Sequence, residues 1–184
     1  MRLGIDFDGT ITDAAAMQRA YARKRWDVEL GELEVMRGGA VPILGADRYR
    51  AMGDALWGPL TAFTVEQADA VDTLGRLVAQ HEVTIVTART DSEAAFARRW
   101  LNVRGLPVSV VNTSAKPKVR ISGLLGLDVL FDDDITHQAV QLHAHGTLPV
   151  LYLQAHNRDH ERPEGMRTVE GWGDFETLVS ELDP

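Results

Sequence analysis

Short apolar runs alternate with amphipathic stretches along most of the chain. "RLGIDF" reads as a first strand. "EVTIVTA", "PVSVV", "LDVLF" and "LPVLYL" follow as runs of buried-strand type, rich in valine, isoleucine and leucine on both faces. Helical patterns lie between them. "EQADAVDTLGRLVAQ" places Ala68, Val71, Leu74 and Val78 on one face, and "SEAAFARRWLNVRG" closes on a glycine of C-cap type. "ITHQAVQLHAHG" ends in the same way at Gly146, and Trp100 and Leu101 read as core. This alternation predicts an α/β fold, a doubly wound parallel sheet of about five strands covered by helices through right-handed crossovers.

One segment interrupts the rhythm. Residues 13–63 contain no strand pattern, but "AAAMQRAYARKRW" and "ADRYRAMGDALWG" are helical, with "MRGGAVPILG" between them reading as a loop of turn residues. An excursion of roughly fifty residues is too long for an ordinary strand-to-helix connection. The division expected is therefore an α/β core of residues 1–12 and 64–184, with a small helical insertion, 13–63, above the C-terminal end of the first strand.

Composition narrows the classes. The 184 residues suit one core with a modest insertion, and 45% hydrophobic content is ample for a buried interior. No apolar run approaches a membrane span, and the N-terminus lacks a signal-peptide layout. The absence of cysteine excludes disulfides and thiolate metal sites and fits a cytoplasmic protein. A net charge of −8 argues against nucleic-acid or anionic-membrane partners, while leaving room for a small anionic substrate where the local sign is reversed. Monomer and homodimer are not distinguished.

The chemistry gathers at strand ends. In a doubly wound sheet, ligands bind outside the carboxyl ends of the strands, where strand order reverses. The first strand ends in Asp6-Phe7-Asp8-Gly9-Thr10, the second in Thr87-Ala88-Arg89-Thr90. The third leads toward Lys116 and Lys118, and the fourth ends in Asp132, Asp133 and Asp134. Parallel strands bring these ends to one edge. Convergent carboxylates repel unless a cation sits among them, and hard oxygen ligands at that density suit Mg²⁺.

These residues carry a resemblance to the haloacid dehalogenase superfamily in its phosphatase form, with "DFDGT", the strand ending in Thr87, a lysine and "FDDD" in the family's order. "IVTARTDSEAAFARRWLNVRGLP" and "LYLQAHNRDH" with "RTVEGWGDF" resemble the 5′(3′)-deoxyribonucleotidase-like branch. The resemblance implies that Asp6 is a nucleophile forming an aspartyl phosphate and that Asp8 is the acid and then the base. It also implies that the insertion is a cap over a small phosphorylated substrate, plausibly a nucleoside monophosphate. Asp6, the Asp8 backbone carbonyl, Asp132 and Asp133 are the expected Mg²⁺ ligands. Gly9, Thr10, Thr87, Ala88, Arg89 and Lys116 are expected around the phosphate, although Arg89 could equally hold the cap or pair with Asp91 or Glu93. Lys116 is preferred to Lys118 as the phosphate lysine because Pro117 suits the first helical position; Lys118 is the alternate. Asp134 reads as a helix cap. Tyr21, Trp26, Tyr49 and Trp57 could stack a base or simply pack. Arg158 could reach the substrate, though a loop arginine is usually solvated; His137, His143, His145, His156 and His160 read as surface, without a zinc site. The alternatives are a sugar-phosphate phosphatase or phosphomutase on the same fold, and a non-catalytic phosphate-binding module. Dehalogenation fits poorly, because the dehalogenases have no need of Asp8.

Overall fold

In the computed structural model, which describes residues 1–183, a six-stranded parallel sheet carries helices on both faces. In chain order the strands are β1 (Arg2–Ile5), β2 (Glu82–Thr87), β3 (Ser109–Asn112), β4 (Val129–Asp132), β5 (Leu148–Tyr152) and β6 (Arg167–Val169). Their spatial order is β3-β2-β1-β4-β5-β6, and every pairing is parallel. The winding reverses between β1 and β4, where Ile5 is paired with Phe131. Asp6 and Asp132 therefore leave the sheet side by side at the switch point.

Alternation along the strands divides the core. Leu3, Ile5, Val83, Ile85, Val129, Phe131, Val150 and Tyr152 face one apolar cluster, shared with α4 (Ala70–Gln80), α5 (Asp91–Val103) and α8 (Trp172–Leu182). Val86, Leu130 and Leu151 face a smaller one with residues of α6 (Val119–Leu125) and α7 (Ala139–Ala144). Gly4 belongs to that second face, where a Cβ would run into the side-chain ends of Leu127 and of Leu130 on the neighbouring strand β4. Two tryptophans pin the loops near the strand ends, Trp172 Nε1 donating to Thr10 O and Trp100 Nε1 to Thr64 O, each at 3.0 Å. Trp100 and Leu101 are buried core, as their pattern suggests.

The chain between β1 and α4 forms three helices, α1 (Ala14–Trp26), α2 (Arg37–Leu44) and α3 (Ala46–Leu56), closed by a 3₁₀ turn, Pro59–Phe63. Asp13 caps α1 by accepting from Ala16 N at 2.9 Å. The unit has its own apolar cluster of Ala22, Leu30, Ala40, Leu44, Met52 and Leu56.

The structure corrects four expectations. There are six strands rather than about five, because β6 is three residues long and begins exposed. "MRGGAVPILG" is mostly helical. Ala40 and Leu44, one turn apart, bury on the unit's cluster despite Pro42, and Gly39 lets α2 approach the preceding turn, where a Cβ would lie 2.7 Å from Glu34 Cα. Helix α4 begins at Ala70, which leaves Ala68 exposed, and its buried face is Ala70, Thr73, Leu74 and Leu77. Residues Thr136–Gln138 form a 3₁₀ turn ahead of α7. Among the described residues, no helix is long and apolar enough to cross a membrane.

Candidate active site

At the switch point three carboxylates meet one ammonium. Asp6 follows β1 directly, its N–H bonded to Phe131 O at 2.9 Å, and Asp132 ends β4. Asp6, Asp132 and Asp133 are all buried and can each offer an oxygen within 4.8 Å of the others. Lys118 Nζ donates to Asp6 Oδ1 and, at 2.6 Å, to Asp132 Oδ2. The preference between the two lysines is thereby reversed: Lys116 is exposed, whereas Lys118 is 6% exposed and its own N–H is held by Gln138 Oε1 at 2.6 Å.

Burial and charge together set the titration of this group. Burial raises Asp6 well above the ordinary carboxylate range, Lys118 opposes that shift, and Asp132, Asp133 and Asp8 add to it. Burial also raises Asp133, against the hydrogen bond from His156. Burial alone would lower Lys118, but Asp132 and Asp6 outweigh it and hold the ammonium above the usual lysine range.

The neighbouring loops brace the carboxylates. Asp133 accepts from Thr10 Oγ1 at 3.2 Å and lies 3.3 Å from His156 Nε2. Asn157 Nδ2 donates to Asp133 O and Tyr152 O, both at 2.8 Å, and Gln154 Nε2 donates to Gly9 O. Burial would lower His156, yet the Asp133 partnership leaves it raised. His156 thus belongs to the site and not to the surface. The strand-end rule, applied to the fifth run "LPVLYL", is the signal that leads to Gln154, His156 and Asn157. Arg158 does lie at the surface, 3.3 Å from Glu170.

Several expected phosphate contacts are otherwise engaged. Gly9 has φ +93° and its N–H donates to Thr12 O, so it supplies space and no free amide. A Cβ there would lie 2.6 Å from Asp133 Cγ. Thr10 is fully buried and its hydroxyl serves Asp133. The Thr87 hydroxyl accepts Arg89 N–H at 3.3 Å. The guanidinium of Arg89 turns away from the carboxylate cluster and grips Asp8, Nε to Oδ2 at 2.7 Å and Nη2 to Oδ1 at 2.8 Å. From Glu93 it takes the backbone carbonyl and not the carboxylate, which is occupied by Thr90 in a capping box. The Asp8 side chain consequently stands outside the Asp6-Asp132-Asp133 group. Asp134 caps no helix; its N–H donates to Asp132 Oδ1 at 2.8 Å.

A cavity of about 600 Å³ opens above the cluster, walled by Asp6, Asp8, Ala88 and Lys118 below and by Gln18, Arg37, Tyr49 and Trp57 of the helical unit above. Tyr21 and Trp26 instead pack edge to face, with centroids 5.3 Å apart, against the unit's interior. The Gln18 carbonyl oxygen is buried without a partner.

Fold and strand order together define the haloacid-dehalogenase-like Rossmannoid fold. The chain is similar to a HAD-family hydrolase from Deinococcus radiodurans with bound phosphate and sodium, at TM-score 0.66 and 14% identity, covering 99% of this chain and 96% of that one. A HAD hydrolase of family IA, variant 3, from Entamoeba histolytica matches at TM-score 0.63 and 14% identity over all of both chains. A mutant of CbbY from Rhodobacter sphaeroides in complex with xylulose-1,5-bisphosphate matches at TM-score 0.63 and 13% identity, over 94% of this chain and 95% of that one. Likeness at these identities speaks for the fold alone. No protein-family model and no curated protein matches the sequence.

Proposed function

We propose that the protein is a Mg²⁺-dependent phosphomonoester hydrolase working through a phosphorylated Asp6. The observation that carries this reading is the placement of Asp6: buried at the switch point, sharing the Lys118 ammonium with Asp132, grouped with Asp133, and facing a cavity. An oxygen of Asp6 attacks phosphorus as the ester bond to the alcohol breaks, and Asp8 gives the departing oxygen its proton. Asp8 then takes a proton from water as that water attacks phosphorus, and the Asp6–phosphorus bond breaks to release phosphate. Lys118 offsets the approach of a carboxylate to an anionic ester. The Ala88 amide at the cavity wall steadies a phosphate oxygen, and the Thr87 hydroxyl, which only accepts from Arg89 N–H, keeps its own proton to donate there.

The donor set fits a hard divalent cation. Three buried carboxylates carry more negative charge than one lysine cancels, and their mutual repulsion adds to burial in raising Asp6 and Asp133. Asp6, Asp132 and Asp133, with the Asp8 backbone carbonyl, would hold Mg²⁺, which supplies Lewis-acid stabilisation of the phosphoryl oxygens when bound.

Residues 13–63 act as a cap that selects the alcohol half. Tyr49 and Trp57 in the cavity wall support a nucleoside monophosphate, the substrate suggested by the deoxyribonucleotidase-like sequence runs. A sugar phosphate is the second reading. It is favoured by Arg37, a cap cation beside the cavity with no ion-pair partner among the described residues, and by the sugar bisphosphate bound to CbbY. The test is a panel of nucleoside monophosphates, sugar phosphates and phosphorylated small acids, with Mg²⁺ and with chelator. Metal-dependent release of phosphate supports the reading, and full activity in chelator with no metal in the protein would remove it.

A further inference from the structure

Arg89 joins the turn after β1 to the cap through five hydrogen bonds from one side chain. Nε and Nη2 grip the two oxygens of Asp8, while Nη1 donates to Trp57 O at 3.1 Å, Thr61 Oγ1 at 2.9 Å and Glu93 O at 3.2 Å. The guanidinium is 3% exposed as part of its residue and lies over the Phe7 ring, 4.9 Å from the centroid. Trp57 caps the C-terminal end of α3 and Thr61 lies within the Pro59–Phe63 turn, where the chain returns to the core. The Thr61 hydroxyl also donates to Leu56 O at 2.9 Å, so its own position depends on helix α3.

Rigidity makes this a coupling. A guanidinium is planar, and its donors are fixed relative to one another. Rotating the edge that serves Trp57 and Thr61 necessarily turns the edge that serves Asp8. Each Asp8 oxygen keeps a second lone-pair direction beyond the one Arg89 takes, so the grip orients the carboxylate and leaves one position open on each oxygen.

We propose that Arg89 is a positioning residue that ties the aim of Asp8 to the seating of the Pro59–Phe63 turn, so that proton transfer is efficient only with the cap seated. This rests on Asp8 being the proton-transfer group. Thr61 is the discriminating position, because it is fully buried and does not line the cavity.

The experiment compares p-nitrophenyl phosphate, whose leaving group needs little protonation, with an alkyl phosphate, whose leaving group needs it. Asp8→Asn calibrates the method by losing far more on the alkyl ester. Thr61→Val, nearly isosteric, should lower kcat on the alkyl phosphate by about tenfold and on p-nitrophenyl phosphate by less than about twofold, with both KM values unchanged. In the Asp8→Asn background, Thr61→Val should add no further selective loss. Arg89→Lys keeps the charge but not the two-edged grip, and should reproduce the selective loss. Equal loss on both esters, no loss on either, or additivity with Asp8→Asn would overturn the coupling. Absence of selectivity in Asp8→Asn itself would instead overturn the underlying role of Asp8.

Discussion

Replacing Lys118 by methionine keeps length and apolar stem while deleting the ammonium. The consequence can be worked from the geometry. Asp6, Asp132 and Asp133 offer oxygens within 4.8 Å of one another. Two unit charges at that separation repel by about 3.5 kcal/mol at an effective dielectric of about 20. Loss of one partner from a buried, hydrogen-bonded ion pair costs about 3–5 kcal/mol, because the other charge is left uncompensated. For a chain of this size each kcal/mol moves the melting temperature by about 2–4 °C, so Lys118→Met in chelator should melt about 6–20 °C below the wild type. Lys116→Met, at an exposed position, should stay within about 0.5 kcal/mol of it. Saturating Mg²⁺ should raise the melting temperature of Lys118→Met more than that of the wild type, since the cation then carries the neutralisation alone. Thermal melts of the three proteins, with and without metal, decide it. Equal melting of both variants in chelator, or a larger loss at Lys116, would refute the assignment of Lys118.

Three further outcomes are expected. Gly9→Ala should weaken Mg²⁺ binding measured by calorimetry, because its Cβ would lie 2.6 Å from Asp133 Cγ at a φ of +93°. Asp133 is harder to ionise in the fold than in the unfolded chain, so its share of stability is full below the ordinary carboxylate range and is lost as pH rises through its raised value. In chelator, melts across that range should therefore show Asp133→Asn gaining on the wild type as pH rises, and a constant difference would contradict the burial of an ionised Asp133. Exchanging residues 13–63 for a short linker should leave a folded core that still hydrolyses aryl phosphates but no longer discriminates among natural esters, as seen by circular dichroism and the substrate panel.

The parts of the site legible in the sequence are those set by strand polarity. Asp6 and Asp132 follow from two apolar runs ending in acid, because parallel pairing obliges both ends to share an edge. Lys118 was hidden by backbone geometry. Ser114 and Ala115 both take positive φ, 50° and 61°, an uncommon conformation for these residue types, and the turn leaves Lys116 in solvent while Lys118 starts the next helix facing inward. The grip of Arg89 on Asp8 is equally hidden, since it joins residues 81 apart and the same guanidinium reaches acceptors in the helical insertion. Helix α2 is not legible in the sequence because two glycines and a proline outweigh, in local preference, a burial that only the folded helical unit provides.

The proposed mechanism stands on transfer of the phosphoryl group to Asp6. Rapid quench of the Asp8→Asn variant with p-nitrophenyl phosphate and Mg²⁺, followed by intact-protein mass and peptide mapping, tests it directly, since impaired water activation should let the intermediate accumulate. The expected result is one phosphoryl group on the peptide bearing Asp6, absent when Asp6 is replaced by asparagine in the same background. Asp6→Asn alone should lose roughly a thousandfold or more in turnover. Phosphate trapped on another residue, or substantial turnover by Asp6→Asn, would contradict it.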